Sequence, residues 1–529
     1  MIMRSSFPAV TIPDVPVHEH VLAAADTLPD KVALVDAQSG DRMTYAELAA
    51  SVTALASALE SSGLRKGDVV AIFSGNHLLY PVVFHAATAA GLVVSTVSAL
   101  ATPEEASAQL RDCRARWVFA GAAQLDNALA AAADGGADAV ITFDPTPGNR
   151  SVHDLIHAGG SPRTARIVPS GDVAALPYSS GTTGMPKGVM LTHRNLVANL
   201  CQMQPVLEYS ADDVLLVVLP FSHIYGLQVL MNLGLAHGAT VVIGSRFTPT
   251  SYLDEVQRFG VTRAHVAPPM LVALAQDPSL VECRDLSSLR SVFSAAAPLG
   301  ADLAASTARL LGCPVTQGYG MTELSPASHL GRFADREPVA GSVGVVVPST
   351  EVRLVDPVSG CDGSEGEVWV RGPQVMKGYL NRPDATADLI DEDGWLRTGD
   401  IGRVDESGNL FIVDRIKDLI KYKGYQVAPA ELEALVLSHP GVADAAVVGV
   451  LRDAEEIPKA FVVPMAGWDL APAEIAEYVA VRVAPYKQLR EIEFVAEIPK
   501  SPSGKILRRQ LREVRSSVGS PVAVSASRS

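Results

Sequence analysis

Hydrophobic and polar positions alternate with two different periods along the first 120 residues. Thr44 to Glu47 predicts a capping box that opens an amphipathic helix ending at Gly63. The elements predicted next are a strand at Val69–Phe73, a helix over about 79–90, a strand at Val93–Val97, a helix capped from Thr102 and a strand at Trp117–Ala120. This alternation predicts mostly parallel sheets.

The pattern changes in the last third of the chain. From Gly341, short strands separated by turns predict a small β-rich unit that ends near Asp414. Mixed helix and strand signals follow, with a basic helix after Lys505. The predicted fold class is α/β, with a large N-terminal domain (1–414) of mostly parallel sheets flanked by helices and a β-rich unit at about 341–414. A small, mobile α+β C-terminal domain (415–516) follows, and a tail (517–529) is expected to be disordered.

Composition limits the function classes. The chain has 529 residues, 48% of them hydrophobic, and a net charge of -15, which opposes broad nucleic-acid binding. Its 5 cysteines form no CxxC pair, so we expect neither a zinc site nor a disulfide framework. Prolines interrupt the N-terminal region, and the longest apolar stretch, Val214 to Phe221, is too short to span a bilayer. We therefore expect a cytoplasmic protein without a membrane or nucleic-acid partner.

The strongest local signal is the segment Tyr178-Ser-Ser-Gly-Thr-Thr-Gly-Met-Pro-Lys-Gly188. Its glycines allow backbone N–H groups to approach phosphates, its hydroxyls donate hydrogen bonds, and Lys187 adds a cation. It differs from a Walker A loop because Pro186 precedes Lys187 and Gly188 follows it. The segment predicts a phosphate-binding loop.

This segment resembles the phosphate-loop signature of the adenylate-forming superfamily, which includes acyl-CoA synthetases, peptide-synthetase adenylation domains and beetle luciferase. Further segments follow in the family's order: Gln317-Gly-Tyr-Gly-Met-Thr-Glu323, Trp395-Leu-Arg-Thr-Gly-Asp400, Asp414 to Val427, and Pro499-Lys-Ser-Pro-Ser-Gly-Lys505. Bacterial cinnamate/4-coumarate-CoA ligases look most similar. The resemblance implies ATP, Mg²⁺ and the co-substrate coenzyme A.

The resemblance also implies roles for single residues in acid activation. Glu323 would bind Mg²⁺, and Lys505 would contact the carboxylate and the α-phosphate. Asp400 and Arg415 would hold the ribose. The remaining nucleotide contacts would come from Ser179, Ser180, Gly181, Thr182, Thr183, Gly184, Lys187, Gln317, Gly318, Tyr319, Gly320, Met321 and Thr322.

For thioester formation, the resemblance assigns catalytic positions to Lys421 and Gln426. Lys423 and Gly424 match the edge of the pantetheine tunnel, and Lys417 matches the hinge of the C-terminal domain. His223 would orient the acid or assist the thiol, although a histidine in an apolar run is more often a core residue.

By the same resemblance, the acyl pocket is lined by Tyr225, Gln228, Phe293, Ala295, Ala296, Gly318, Gly320, Pro326, Ala327 and Ser328. The plant enzymes usually have lysine in place of Phe293 and glycine in place of Ala295. Losing the cation and adding a ring and a methyl group should weaken recognition of a phenolic hydroxyl.

We therefore expect an acid-thiol ligase that forms an acyl-AMP and then an acyl-CoA, with a cinnamate-like or other apolar aromatic acid as substrate. A medium-chain fatty acid, or a carrier protein as the thiol acceptor, remains an alternative. A luciferase-type oxygenase is a further alternative, which the motifs do not exclude. A non-enzymatic binding module is opposed by the joint presence of Lys187, Glu323, Asp400, Arg415 and Lys505. The expected assembly is a monomer or homodimer.

Overall fold

A computed structural model describes residues 2–159, 165–179, 186–244, 246–335, 337–423, 425–452, 455–501 and 504–513. The strands up to residue 415 are β1 (Met3–Arg4), β2 (Val32–Asp36), β3 (Arg42–Thr44), β4 (Val69–Phe73), β5 (Val93–Val97), β6 (Ala115–Ala120), β7 (Ala139–Thr142), β8 (Val173–Ala175), β9 (Tyr178–Ser179), β10 (Lys187–Thr192), β11 (Val214–Val217), β12 (Thr240–Ile243), β13 (Arg263–Val266), β14 (Ser291–Ser294), β15 (Val315–Gly320), β16 (Ala327–Leu330), β17 (Val345–Val346), β18 (Glu351–Val355), β19 (Glu365–Arg371), β20 (Gly378–Tyr379), β21 (Leu396–Val404) and β22 (Leu410–Arg415).

Helices cover the faces of these strands. They are α1 (Val17–Leu22), α2 (Ala24–Thr27), α3 (Tyr45–Ser61), α4 (Tyr80–Ala89), α5 (Pro103–Cys113), α6 (Leu125–Gly135), α7 (Val152–Ala158), α8 (His193–Leu207), α9 (Leu233–Ala236), α10 (Pro249–Phe259), α11 (Pro268–Ala275), α12 (Ser279–Glu282), α13 (Ala301–Leu311) and α14 (Pro383–Leu389). A π-helix spans Tyr225–Asn232, and a 3₁₀ turn spans Thr322–Leu324.

Two large sheets and one smaller sheet organise this part of the chain. The first has the order β20-β10-β8-β5-β4-β6-β7, with β9 beside β10, and the second has the order β17-β16-β15-β14-β13-β11-β12-β2-β3. Their central strands pair in parallel, as predicted. The third sheet, β1-β18-β19-β21-β22, is antiparallel and matches the predicted β-rich unit.

Local sequence signals explain where several helices start. The Thr44 hydroxyl accepts the Glu47 N–H at 3.2 Å, and the Glu47 carboxylate accepts the Thr44 N–H at 2.8 Å. Thr102 and Glu105 form the same reciprocal pair at the start of α5. Both capping boxes satisfy backbone donors that the helix itself leaves free.

After β22 the chain builds a separate hydrophobic core. The elements of this part of the chain are β23 (Ile420–Tyr422), β24 (Tyr425–Val427), α15 (Pro429–Leu437), β25 (Val442–Arg452), β26 (Glu455–Pro464), α16 (Pro472–Ala480), β27 (Glu491–Phe494) and α17 (Arg508–Glu513), the last of which packs on β25 and β26 in a smaller second cluster. The mixed α/β class, with large N-terminal sheets and a small C-terminal unit, is therefore confirmed. Within the residues described, no helix is both long and apolar enough to cross a bilayer. The tail (517–529) lies outside them.

Candidate active site

The predicted phosphate loop lies between two short paired strands. Lys187 pairs with Ser179 across β9 and β10, so both ends of the loop are fixed, while residues 180–185, including Ser180, Gly181, Thr182, Thr183 and Gly184, lie outside the described residues. The Lys187 ammonium lies 5.0 Å from the ring centroid of Tyr379. That contact holds the cation beside the ring of Tyr379.

The candidate metal ligand Glu323 lies beside this loop and is 4% exposed. Its Oε1 accepts the hydroxyls of Ser179 at 3.0 Å and Tyr379 at 2.7 Å. These two hydrogen bonds fix the position of the buried carboxylate. A fixed anionic oxygen is the ligand type that Mg²⁺ prefers, so the residues present fit this ion.

Asp400 forms a second buried carboxylate site. Its Oδ2 accepts the Tyr319 hydroxyl at 2.6 Å, and its Oδ1 accepts Arg415 Nε at 3.0 Å. Asp400 and Arg415 face each other across β21 and β22. Each carboxylate oxygen can accept a further hydrogen bond, so the pair could hold two neighbouring hydroxyls.

Lys505 reaches this site from the C-terminal part of the chain. Gly504, with φ +83, lies against the start of α11, since a Cβ there would be 3.3 Å from Pro269. Burial, followed by the charge of Arg415, lowers the pKa of Lys505 to about 8, whereas Asp400 and Glu323 oppose the shift. The structure thus brings the candidate lysine and both candidate carboxylates into one electrostatic environment.

His223 lies near Lys505. Burial, and next the charge of Lys505, lower the pKa of His223 to about 4, so the ring is neutral at physiological pH. Its Nδ1 accepts the backbone N–H of Tyr225 at 3.2 Å, which places the ring proton on Nε2. This tautomer can donate a hydrogen bond to a carboxylate, whereas a group with so low a pKa is a weak base.

Three of the predicted acyl-pocket residues pack together. The rings of Tyr225 and Phe293 have centroids 6.4 Å apart. A Cβ at Gly318 would lie 2.4 Å from Phe293 Cζ, so only glycine allows this approach. Ala296 has φ 75, a left-handed conformation that is uncommon for a residue other than glycine. Backbone conformations of this kind concentrate at functional sites.

The side-chain amide of Gln228, a residue predicted to line the same pocket, forms its hydrogen bonds within the core. Its Nε2 donates to the Leu196 carbonyl at 2.6 Å, and its Oε1 accepts from Asn232 at 2.8 Å. Both ends of the amide are therefore occupied within the π-helix and against α8. We expect Gln228 to shape the pocket without bonding the acid.

The remaining pocket residues follow the 3₁₀ turn. A Cβ at Gly320 would lie 2.0 Å from the Pro326 carbonyl, so the chain turns back tightly here. Asn199 in α8 donates to the Ala327 carbonyl at 2.9 Å and accepts the Ala327 N–H at 3.0 Å. Ser328 is buried, and its hydroxyl lies 3.0 Å from Nδ1 of His329.

The other candidate nucleotide residues lie along β15 and the turn after it. Gln317 is buried, and its side-chain oxygen accepts the Leu299 N–H at 3.1 Å. Met321 donates its N–H to the Pro326 carbonyl at 2.9 Å, and Thr322 opens the 3₁₀ turn. Ala295, at the end of β14, donates its N–H to the Val266 carbonyl at 3.3 Å.

Those residues assigned to thioester formation and to the hinge whose side chains the structure describes lie on the protein surface. Lys421 and Lys423 are exposed on the β23–β24 hairpin, and Lys417 is exposed in the turn after β22. Gly424 and the side chain of Gln426 lie outside what the structure describes. Among the described residues, Glu323, Asp400, Arg415 and Lys505 therefore lie together, whereas Lys421 and Lys423 are exposed to solvent.

Two residues that support the site were missed by sequence reasoning. Tyr379 holds Glu323, and Asn199 holds the Ala327 backbone. Tyr379 lies 56 positions from its partner and Asn199 lies 128 positions from its own. Neither residue stands in a motif, so no pattern along the chain signals these contacts.

Comparison with known proteins agrees with this geometry. Residues 21–380 match the family model described as AMP-binding enzyme, and residues 431–505 match its C-terminal domain. The chain belongs to the AMP-binding enzyme family. It is 40% identical to 4-coumarate--CoA ligase 3 of Oryza sativa subsp. japonica, over 99% of this chain and 97% of that protein. It is 39% identical to 4-coumarate--CoA ligase 1 of Petroselinum crispum, over 97% and 96%.

Solved AMP-binding enzymes share the fold over nearly the whole chain. ATP-bound MatB from Rhodopseudomonas palustris has a TM-score of 0.86 at 30% identity and covers 95% of this chain and 99% of its own. The anthranilate CoA ligase AuaEII, solved with anthranoyl-AMP, has a TM-score of 0.87 at 26% identity and covers 95% and 97%. The coarse prediction is confirmed, since this AMP-binding enzyme is an adenylate-forming acyl-CoA ligase.

Proposed function

We propose that this enzyme joins a cinnamate-like or other apolar aromatic acid to coenzyme A in the cytoplasm, through an acyl-AMP. The observation that carries the proposal is the position of Lys505, which shares one site with Asp400, Glu323 and Arg415 and lies near His223. This cation comes from the C-terminal part of the chain and lies among residues of the kind that bind nucleotides. It is suited to neutralising charge as an acid attacks phosphorus.

In the first step, a carboxylate oxygen of the acid bonds to the α-phosphorus of ATP, and the bond from that phosphorus to the pyrophosphate oxygen breaks. Nε2–H of His223 orients the carboxylate, and Lys505 stabilises the negative charge on the α-phosphate oxygens. Asp400 and Arg415 hold the ribose. Glu323 would hold Mg²⁺, which would neutralise charge on the ATP phosphates.

In the second step, the sulfur of the thiol bonds to the acyl carbon, and the bond from that carbon to the AMP oxygen breaks. The thiol proton leaves to solvent, and AMP departs. Lys421, Gln426, Lys423 and Gly424 serve this step, after the C-terminal domain turns about Lys417.

The aromatic substrate class rests on the apolar packing of Tyr225 and Phe293. Phe293 replaces the lysine of the plant enzymes, so a phenolic hydroxyl loses its cationic partner. Two similar enzymes carry aromatic acids in their names, the anthranilate CoA ligase AuaEII and a benzoate CoA ligase from Burkholderia xenovorans LB400. These names support an acyl pocket that accommodates an aromatic ring here.

The test uses purified protein with ATP, Mg²⁺ and either coenzyme A or a phosphopantetheinylated carrier protein. Acids in the panel are cinnamate, 4-coumarate, benzoate and octanoate, and both pyrophosphate and thioester are measured. We expect cinnamate with coenzyme A to give the highest kcat/KM. Preference for octanoate or for the carrier protein would replace this proposal with one of the two alternatives. Absence of pyrophosphate with every acid would overturn adenylation itself.

A further inference from the structure

A buried hydrogen-bond chain lies behind the proposed acyl pocket. His265 in β13 stands between two tyrosines, with the Tyr209 hydroxyl on its Nε2 and the Tyr225 hydroxyl 3.0 Å from its Nδ1. The Tyr225 hydroxyl also lies 3.3 Å from the backbone carbonyl of Phe293. All four residues are buried, so water does not compete for these contacts.

Only one direction of donation along this hydrogen-bond chain gives every proton an acceptor. Burial, and next the charge of Arg263, lower the pKa of His265 to about 3, so its ring is neutral and has one N–H. The Phe293 carbonyl can only accept, so Tyr225 donates to it and its oxygen accepts Nδ1–H of His265. Nε2 then accepts a hydrogen bond from the Tyr209 hydroxyl. In the reverse direction Nε2 would itself carry the ring proton, and the Tyr209 proton would lose this acceptor.

Tyr209, at the end of the hydrogen-bond chain opposite the pocket, is held in place by Arg263. The Arg263 guanidinium lies 4.8 Å from the Tyr209 ring centroid, and its Nε lies 3.0 Å from Oδ1 of Asp213. It also donates to the carbonyl of Glu208 at 2.6 Å. An aromatic ring under a buried, paired guanidinium has little freedom to move, so Tyr209 presents a fixed donor to His265.

We propose that His265 and Tyr209 are positioning residues that set the acyl specificity of this enzyme, by occupying the Tyr225 hydroxyl so that it cannot accept a hydrogen bond from the acid. The inference rests on the proposed function. The imidazole N–H fills the acceptor position of the Tyr225 oxygen. A 4-hydroxyl on the substrate ring would therefore be buried beside Tyr225 and Phe293 without an acceptor, which is a costly arrangement.

Geometry supports a continuous wall at this place. The ring centroids of His265 and Phe293 are 5.4 Å apart, and those of His265 and Tyr225 are 5.8 Å apart. Phe293 in turn rests on Gly318. Because the three rings contact each other, a change at His265 reaches two pocket-lining residues without touching the nucleotide ligands.

The experiment measures kcat/KM for cinnamate and for 4-coumarate in two variants. His265→Phe keeps an aromatic ring and removes both nitrogens, so the Tyr225 oxygen becomes free to accept. Tyr209→Phe removes the donor to Nε2, so the Nδ1–H tautomer is no longer fixed, and the Tyr225 oxygen is free in the molecules that carry the ring proton on Nε2. The preference for cinnamate over 4-coumarate should fall about two- to tenfold in His265→Phe, the value of one hydrogen bond, and by a smaller factor in Tyr209→Phe. The KM for ATP should not change.

A second cycle separates positioning from general loss of stability. In a Tyr225→Phe background, His265→Phe should leave the ratio unchanged, because the hydroxyl through which it acts is absent. His193→Phe is the matched control, since His193 is a buried histidine whose Nδ1 accepts the Val17 N–H at 3.1 Å. It should lower the melting temperature without changing the ratio.

Each outcome bears on the inference. Unchanged ratios in active His265→Phe and Tyr209→Phe enzymes would overturn it alone, and so would an equal shift in the Tyr225→Phe background. Should His265→Phe fail to fold, Tyr209→Phe decides. A wild-type protein that forms no aryl thioester would overturn the proposed function and this inference together.

Discussion

Replacing Lys505 with alanine should separate the two half-reactions. The ammonium is the cationic group that the C-terminal part brings close to Asp400 and Glu323. With a pKa of about 8 it is charged in about nine of ten molecules at pH 7. Removing one aligned electrostatic contact from a transition state costs roughly 3–4 kcal/mol, so acyl-AMP formation should fall about 10²- to 10³-fold.

Separate assays of each half-reaction measure this effect. Pyrophosphate release from ATP and acid reports the first step, and thioester formation from preformed acyl-AMP and coenzyme A reports the second, which should be largely retained. Lys500→Ala is the matched control, because Lys500 lies in the same loop but pairs with Asp444 at 2.6 Å. Equal loss in both half-reactions would refute the role given to Lys505.

The pH dependence gives an independent check on Lys505. Its folded pKa is lowered from 10.5 to about 8, so the cation is lost as the pH rises through 8. The rate of the first half-reaction should then fall about tenfold for each further pH unit, until the release of ATP from the enzyme becomes limiting. A rate that stays flat between pH 7 and pH 10 would contradict a requirement for the charged lysine.

Three further predictions follow. Asp400→Asn should raise the KM for ATP roughly tenfold or more, because it weakens a charged contact and leaves Arg415 without its partner; steady-state kinetics at fixed acid measures it. Phe293→Lys should shift kcat/KM from cinnamate towards 4-coumarate and lower the melting temperature, because the cation is buried at a residue now 5% exposed. Burial lowers the pKa of both His85 and His193 to about 3, so the unfolded chain takes up protons first and the free energy of unfolding should fall as the pH drops below 6.5, measured in urea at pH 7 and pH 5.

Much of the fold could be predicted because its signals are local. The capping boxes at Thr44 and Thr102 require residues only three positions apart. The bounds of the predicted strands in the first sheet lie within one residue of those of β4 and β5, and within two residues of those of β6. The pairing of β1 with β18 was not predicted, since Met3 meets Val352 across most of the chain. The π-helix was also missed, because hydrophobic periodicity does not distinguish it from an α-helix.

The candidate site divides in the same way. The family resemblance assigns Glu323 to the metal and Asp400 to the ribose, and both assignments stay predictions. The sequence did not show which groups satisfy each carboxylate, nor that the amide of Gln228, a predicted pocket residue, is bonded to Leu196 and Asn232. The partner of a buried polar group depends on three-dimensional packing, and buried groups must be satisfied by whatever neighbours the fold provides.

The position of the C-terminal part also constrains how one protein performs two reactions. Lys505 is half-buried within reach of the charge of Asp400, whereas Lys421 is exposed and donates its backbone N–H to Glu456 at 2.8 Å. Under the proposed function, the step that uses Lys421 therefore requires an arrangement of the C-terminal part other than the one in which Lys505 stands near Asp400. The two proposed steps therefore exclude each other in any single arrangement. If the proposed roles hold, that exclusion would protect the acyl-AMP, because the residues of the second step would arrive only after Lys505 has withdrawn.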